Sequence, residues 1–364
     1  MARKLFVAGT GQHSGKTTTS LALMHLAQQY YGRVGFMKPV GPKSEEFDGI
    51  LMDQDAILIA RVFGLEEDLP LMSPVAFHKH FTRDVLTGTL DVAALRQKIL
   101  TAAAELERKY DLLVIEGAGH SGVGSVIGLS NARVAQMIDA PVIMVADGGI
   151  GSVIDAVHLN RALFLQEGGD ISLVMVNKLL EAKRQGALDL MASAFTPLGL
   201  PLTGGFTFSP TLANPTLAHI SDLLSLPIHG DRQAVSRIIH TIQLGAASSQ
   251  KVIDGLDPST LLIITSSRDE LLVTLSSLYH IPEFRERIVG VVIAGHVPVS
   301  RISQQILDDS GMPFIRIQQT TAEVFRTITD DVAKITPRDL EKIAWIRERA
   351  ASELDFTVIE RLLS

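Results

Sequence analysis

Short continuous apolar runs alternate with longer stretches in which apolar residues recur every three or four positions. The first class covers residues 5–8, 34–37, 112–115, 141–146, 173–176 and 202–206, and it is rich in Val, Ile and Leu. The second covers 17–29, 92–109, 131–138 and 152–166. Uninterrupted apolar strands separated by helical periods predict a parallel sheet buried on both faces. The pattern restarts after a polar, Pro-containing break at 222–230, with strands at 261–265, 288–294 and 313–317 and helices at 269–279 and 300–309. A charged amphipathic helix over 337–354 closes the pattern. The expectation is an α/β protein in which a parallel-sheet, P-loop-type domain (1–224) precedes a smaller α/β domain (225–364).

Composition adds limits. The chain has 364 residues, 46% of them hydrophobic and 20% charged, enough apolar material for two cores. Its 33 basic against 40 acidic side chains leave a net charge of −7, which argues against broad nucleic-acid binding. The absence of cysteine excludes disulfides, thiolate zinc sites and thiolate nucleophiles, among them a Cys-dependent glutaminase. The apolar run after Arg3 and Lys4 stops at Gly9, too short for a signal peptide, and nothing reaches the length of a membrane helix. A soluble, cytoplasmic protein without membrane contact is expected.

The sharpest chemical signal follows the first strand. Gly9-Thr-Gly-Gln-His-Ser-Gly-Lys-Thr-Thr18 joins a buried strand to an amphipathic helix. Backbone N–H groups of such a loop, here Gly11, Gln12, His13, Ser14 and Gly15 with Thr18 just inside the helix, converge on phosphate oxygens, helped by the helix dipole. Lys16 would neutralise the outer phosphates and the Thr17 hydroxyl would join a Mg²⁺ shell. Gly9 stands six residues before Gly15, one more than the usual G-x-x-x-x-G-K-T spacing. His13 is tempting as a catalytic base, but loop histidines are commonly solvated.

Other candidates lie at predicted strand ends, where open parallel sheets bind ligands. Glu116 ends the strand 112–115 and precedes Gly117-Ala-Gly119, so it could meet Mg²⁺ directly or through water, or face solvent. Asp53 and Asp55 read as helix-start acids or as metal ligands. Lys38, stiffened by Pro39 and Pro42, suits a cation facing a phosphate or carboxylate, or a plain surface lysine. Asn177 stands where P-loop proteins read a purine edge; Leu180 occupies the place of the Asp a guanine reader needs, which favours adenine. His78 and His80 form a weak metal pair.

In order, Gly9–Thr17, Lys38-Pro39-Val40, Gln54-Asp55-Ala56 and Glu116-Gly-Ala-Gly119 resemble the motifs of dethiobiotin synthetases over the first 210 or so residues. The resemblance implies ATP and Mg²⁺ as cofactors, with Thr17, Asp55 and Glu116 around the metal, Lys16 and Lys38 as the catalytic cations and Asn177 near the adenine. It also implies phosphoryl transfer to a small carboxylate or carbamate, and a homodimer. Gly41-Pro42-Lys43, His120 and Gly11 depart from the synthetase pattern and put its diamino-acid substrate in doubt. Ser267-Arg268-Asp269 and Ala294-Gly295-His296 are imperfect counterparts of an Asp-Arg-Thr-Gly-Gly (DRTGG) domain, and the whole resembles the N-terminal region of long phosphotransacetylases without their acetyltransferase domain. A nucleotide-responsive regulatory protein, its C-terminal domain binding a ligand or partner, is the alternative to an enzyme.

Overall fold

A computed structural model describes residues 2–363. Contacts divide it into two compact units. One runs to Phe208 and takes in Ile335–Pro337 and the stretch from Lys342 onward; the other comprises Ser209–Lys334 with Arg338–Glu341.

The first unit is built on six strands: β1 (Arg3–Gly9), β2 (Val34–Met37), β3 (Leu112–Glu116), β4 (Val142–Asp147), β5 (Leu173–Asn177) and β6 (Leu202–Gly204). They pair in parallel in the order β6-β5-β4-β1-β3-β2. β2, β3 and β5 are buried along their whole length, as continuous apolar runs require when helices cover both faces. Helices alternate with the strands, among them α1 (Lys16–Ala27), α2 (Gln54–Phe63), α3 (Val92–Lys109), α4 (Asn131–Ile138), α5 (Ile150–Gln166) and α6 (Arg184–Phe195). From β1 the chain crosses to the edge strand β2, returns to β3 between the two, then continues on the other side of β1 through β4 to β6. The crevice beyond the carboxyl end of β1 is therefore the topological switch point, where such sheets bind ligands.

The second unit carries a four-stranded parallel sheet, Thr241–Leu244, Thr260–Thr265, Ile288–Ala294 and Phe314–Ile317, paired in chain order. Apolar clusters cover its two faces, one around Leu272, Leu275 and Leu307, the other around Leu217, Ile220, Val292 and Val324. The first strand of this sheet is absent from the periodicity reading. The Arg268 guanidinium donates to the carbonyls of Gly245 and Ala247, 2.9 and 2.8 Å, tying together two loops at the carboxyl edge.

The unit boundary differs from the expected 224/225. Leu217 and Ile220 of the helix Leu217–Leu224 are buried in the second unit's core, which draws the chain from Ser209 into that unit. The closing helix, Leu340–Glu353, goes the other way from Lys342 on. Its Arg347 donates to the Val62 carbonyl at the end of α2 (2.9 Å), Glu353 accepts from Arg184 (3.2 Å) and from the Thr207 hydroxyl (2.9 Å), and Phe356 stacks on Tyr30. Among the described residues no helix is long and apolar enough to cross a membrane.

Candidate functional site

β1 ends at Gly9 and α1 begins at Lys16, so the predicted phosphate loop is a strand–loop–helix unit at the switch point. Two glycines are dictated by close approach. A Cβ on Gly9 would lie 2.6 Å from Ser14 Oγ and 2.7 Å from Lys16 Nζ; one on Gly15, which sits at φ +96°, would lie 2.4 Å from Asn177 Nδ2. Lys16 curls back over this loop and donates to the Gly11 carbonyl at 2.8 Å. Gln12 and His13 face solvent, while Ser14 is buried. Gly15→Ala should abolish nucleotide binding at an unchanged circular-dichroism spectrum, because both φ and the missing space forbid the methyl group; wild-type binding by this variant would contradict the loop's role.

Beside the loop, four predicted residues meet, from α1, α2, β3 and the segment after β2. Thr17 Oγ1, on the first turn of α1, lies 3.3 Å from both Asp55 Oδ1 and Glu116 Oε1. Lys38, just beyond β2, places Nζ 2.7 Å from Asp55 Oδ2, 2.7 Å from Glu116 Oε1 and 3.2 Å from the Gly117 carbonyl. Its charged side chains are buried, Lys38 being 3%, Glu116 0% and Asp55 8% exposed, while Thr17 is half-buried. Burial alone pulls the Lys38 ammonium down, but the charges of Asp55, Glu116 and Asp53 and the hydrogen bond to Asp55 outweigh it and hold the group above its ordinary value. Lys38 is thus a buried, charged bridge, not a surface lysine. Asp53 caps α2 by accepting from the Asp55 N–H at 2.9 Å.

The donor set of Thr17, Asp55 and Glu116 is all hard oxygen, the kind Mg²⁺ takes, and Glu116 Oε2 is buried with no hydrogen-bond partner among the described residues. These residues fit the expected metal. No group of three or more His, Asp or Glu side chains that could hold a metal by itself is present among the described residues, and His78 and His80 form none. The hydroxyl and the ligand's own oxygens would have to complete the shell.

Asn177 is placed differently from expectation. It is 1% exposed. Its amide N donates to the Ser14 carbonyl (3.1 Å) and the Thr19 hydroxyl (3.2 Å), and its amide O accepts from Phe206 N–H (2.9 Å). The amide N is committed to the phosphate loop and the start of α1 and the amide O to the Phe206 backbone, so in this arrangement the amide presents no edge to a purine. Asn177→Ala should lower stability by about 1–3 kcal/mol, since it leaves the buried Phe206 N–H unpaired; chemical denaturation checks this.

Further positioning residues went unread in the sequence. Asn160, on the buried face of α5, accepts from the Ser121 N–H at 3.1 Å and donates to the Thr10 carbonyl at 3.3 Å, so one amide joins the loops after β1 and β3. Asn131 grips the Ala118 backbone through both its N–H (3.0 Å) and its carbonyl (2.6 Å). Lys178 pairs with Asp147 at 2.9 Å and donates to the His13 carbonyl across the loop tip. A lone Asn within an apolar helical stripe was the available signal, because a buried amide needs a structured partner.

A family model described as an AAA domain matches residues 3–223. Over 99% of its length the chain is 23% identical to a phosphate acetyltransferase of Nitratidesulfovibrio vulgaris, covering 52% of that protein. It is 28% identical over 168 residues to an ATP-dependent dethiobiotin synthetase of Idiomarina loihiensis, covering 46% of this chain and 75% of the relative. The chain spans about half the length of the phosphate acetyltransferases it matches end to end. Among solved structures, the MinC:MinD cell division complex of Aquifex aeolicus aligns with TM-score 0.35 and 16% identity, over 58% of this chain and 84% of that one.

Proposed function

The chain belongs, through residues 3–223, to the AAA domain family, and from that premise we propose that it binds Mg-ATP at the carboxyl edge of its six-stranded sheet. The observation that carries the reading is the meeting of the Thr17 hydroxyl, Asp55, Glu116 and Lys38 beside a glycine-tight loop that ends in Lys16. Loop N–H groups and Lys16 would take the phosphates, and Thr17, Asp55 and Glu116 would hold Mg²⁺, which when bound offsets phosphate charge. Lys16 and Lys38 supply positive charge where the oxygens of a transferring phosphoryl group gain negative charge, which suits transfer to a small carboxylate or carbamate.

A second reading has its own support. The similarity to phosphate acetyltransferases runs through both units, whereas that to the dethiobiotin synthetase covers less than half of the chain. This favours a nucleotide-responsive regulatory module, the second unit being a DRTGG-like domain that binds a ligand or partner, in a cytoplasmic homodimer. Following ADP formation with and without a panel of small carboxylates, beside oligomer size with and without Mg-ATP, separates the two. Acid-dependent turnover supports the transferase; a nucleotide-dependent change of size with negligible turnover supports the regulator; neither effect argues against both.

A further inference from the structure

The Lys38 ammonium occupies the space between the two carboxylates assigned to the metal. It lies 2.7 Å from Asp55 Oδ2 and 2.7 Å from Glu116 Oε1, and it shares Glu116 Oε1 with the Thr17 hydroxyl. Ammonium and divalent cation thus want the same oxygens. We infer that Lys38 is a built-in counter-ion that keeps the divalent-cation position closed until nucleotide arrives, so that metal and nucleotide bind cooperatively. The inference rests on the Mg-nucleotide reading above.

The physical argument concerns where the displaced charge goes. Lys38 is buried, and its stem leaves β2 just before Pro39, so the ammonium is held away from water. A metal entering alone would take over Asp55 and Glu116 and leave an ammonium buried with its carboxylate partners lost, which is strongly unfavourable. A nucleotide entering with the metal brings phosphate oxygens that give the ammonium a new anionic partner. Each ligand therefore makes the other's binding easier through one side chain, and the coupling is reciprocal. Glu116 Oε2, buried without a partner, is the acceptor that the ammonium leaves unused. Asp53 is a further charged neighbour, and its carboxylate adds to the pull on the ammonium.

The test uses Mn²⁺ as the probe, followed by electron paramagnetic resonance and by the melting temperature, on the full chain without nucleotide. Wild type should show no ordered site up to about millimolar Mn²⁺. Lys38→Met keeps the stem but removes the charge; it should bind one Mn²⁺ per chain at least ~10-fold more tightly than wild type, within the usual range of coupling between sites. Its melting temperature, lowered in EDTA, should recover on adding Mn²⁺. Lys38→Arg, which keeps the charge, should stay as silent as wild type. A Lys38→Met protein blind to Mn²⁺ overturns the inference. Tight Mn²⁺ binding by nucleotide-free wild type overturns it too, whether or not the variant folds. Wild type that binds Mg-ATP while Lys38→Met ignores Mn²⁺ sinks the counter-ion role alone; wild type that fails to bind Mg-ATP sinks the nucleotide reading and the coupling with it.

Discussion

Lys16→Ala should erase the stabilisation that Mg-ATP confers on the wild-type protein. A ligand bound only by the folded state adds about 2.7 kcal/mol at a hundred times its dissociation constant, a shift readily seen in a thermal melt. The lysine's charged hydrogen bonds to phosphate are worth about 1.5–3 kcal/mol each, so losing two of them weakens binding at least about a hundredfold. In the nucleotide-free protein Lys16 contacts its own loop at the Gly11 carbonyl. Lys16 is itself buried, so the quantity compared is each protein's own shift between its unliganded and its Mg-ATP melt. A full Mg-ATP shift in Lys16→Ala would show that the nucleotide, if bound, lies elsewhere.

The second large effect is on stability alone. Removing the Lys38 charge leaves the buried carboxylates of Asp55 and Glu116 without their shared counter-ion, with Asp53 beside them. Breaking a buried ion pair from one side typically costs about 3–5 kcal/mol. Lys38→Met should lose about that much in urea denaturation with EDTA present. Adding Glu116→Gln should return part of it, because the uncompensated charge goes with the cation. Additive losses in the double variant would mean that Lys38 supports the fold through its stem and not through its charge.

The two lysines also show what a sequence discloses. Strand, loop and helix are contiguous from Arg3 to Ala27, so the phosphate loop was legible from order and spacing alone. Lys38 was legible as a cation at a strand end, but its burial depends on Asp55 from α2 and Glu116 from β3, 17 and 78 residues away. Nothing local carries that information. Asn177 is the converse case. Its place at the end of β5 was foreseeable, yet the Ser14 backbone lies against it across 163 residues and consumes its amide.

Amphipathic helices expose the same limit on a larger scale. The pattern of Leu217–Leu224 and Leu340–Glu353 says that each buries one face, not which core receives it; contacts group the first with the second unit and divide the second helix at Lys342. The hairpin of Ser44–Phe47 and Ile50–Asp53 was missed for another reason. Glu45 and Glu46 hide the strand alternation, although Asp48-Gly49, with φ of 48° and 77°, is a strong short-range hairpin signal.

Calorimetric titration of the wild-type protein with ATP in the presence of Mg²⁺ tests the central claim most directly. The account predicts one site per chain, lost when Mg²⁺ is replaced by EDTA, with new hydrogen-exchange protection over the loop from Gly9 to Thr17. Saturating ATP that releases no heat and leaves that loop's exchange unchanged would contradict it.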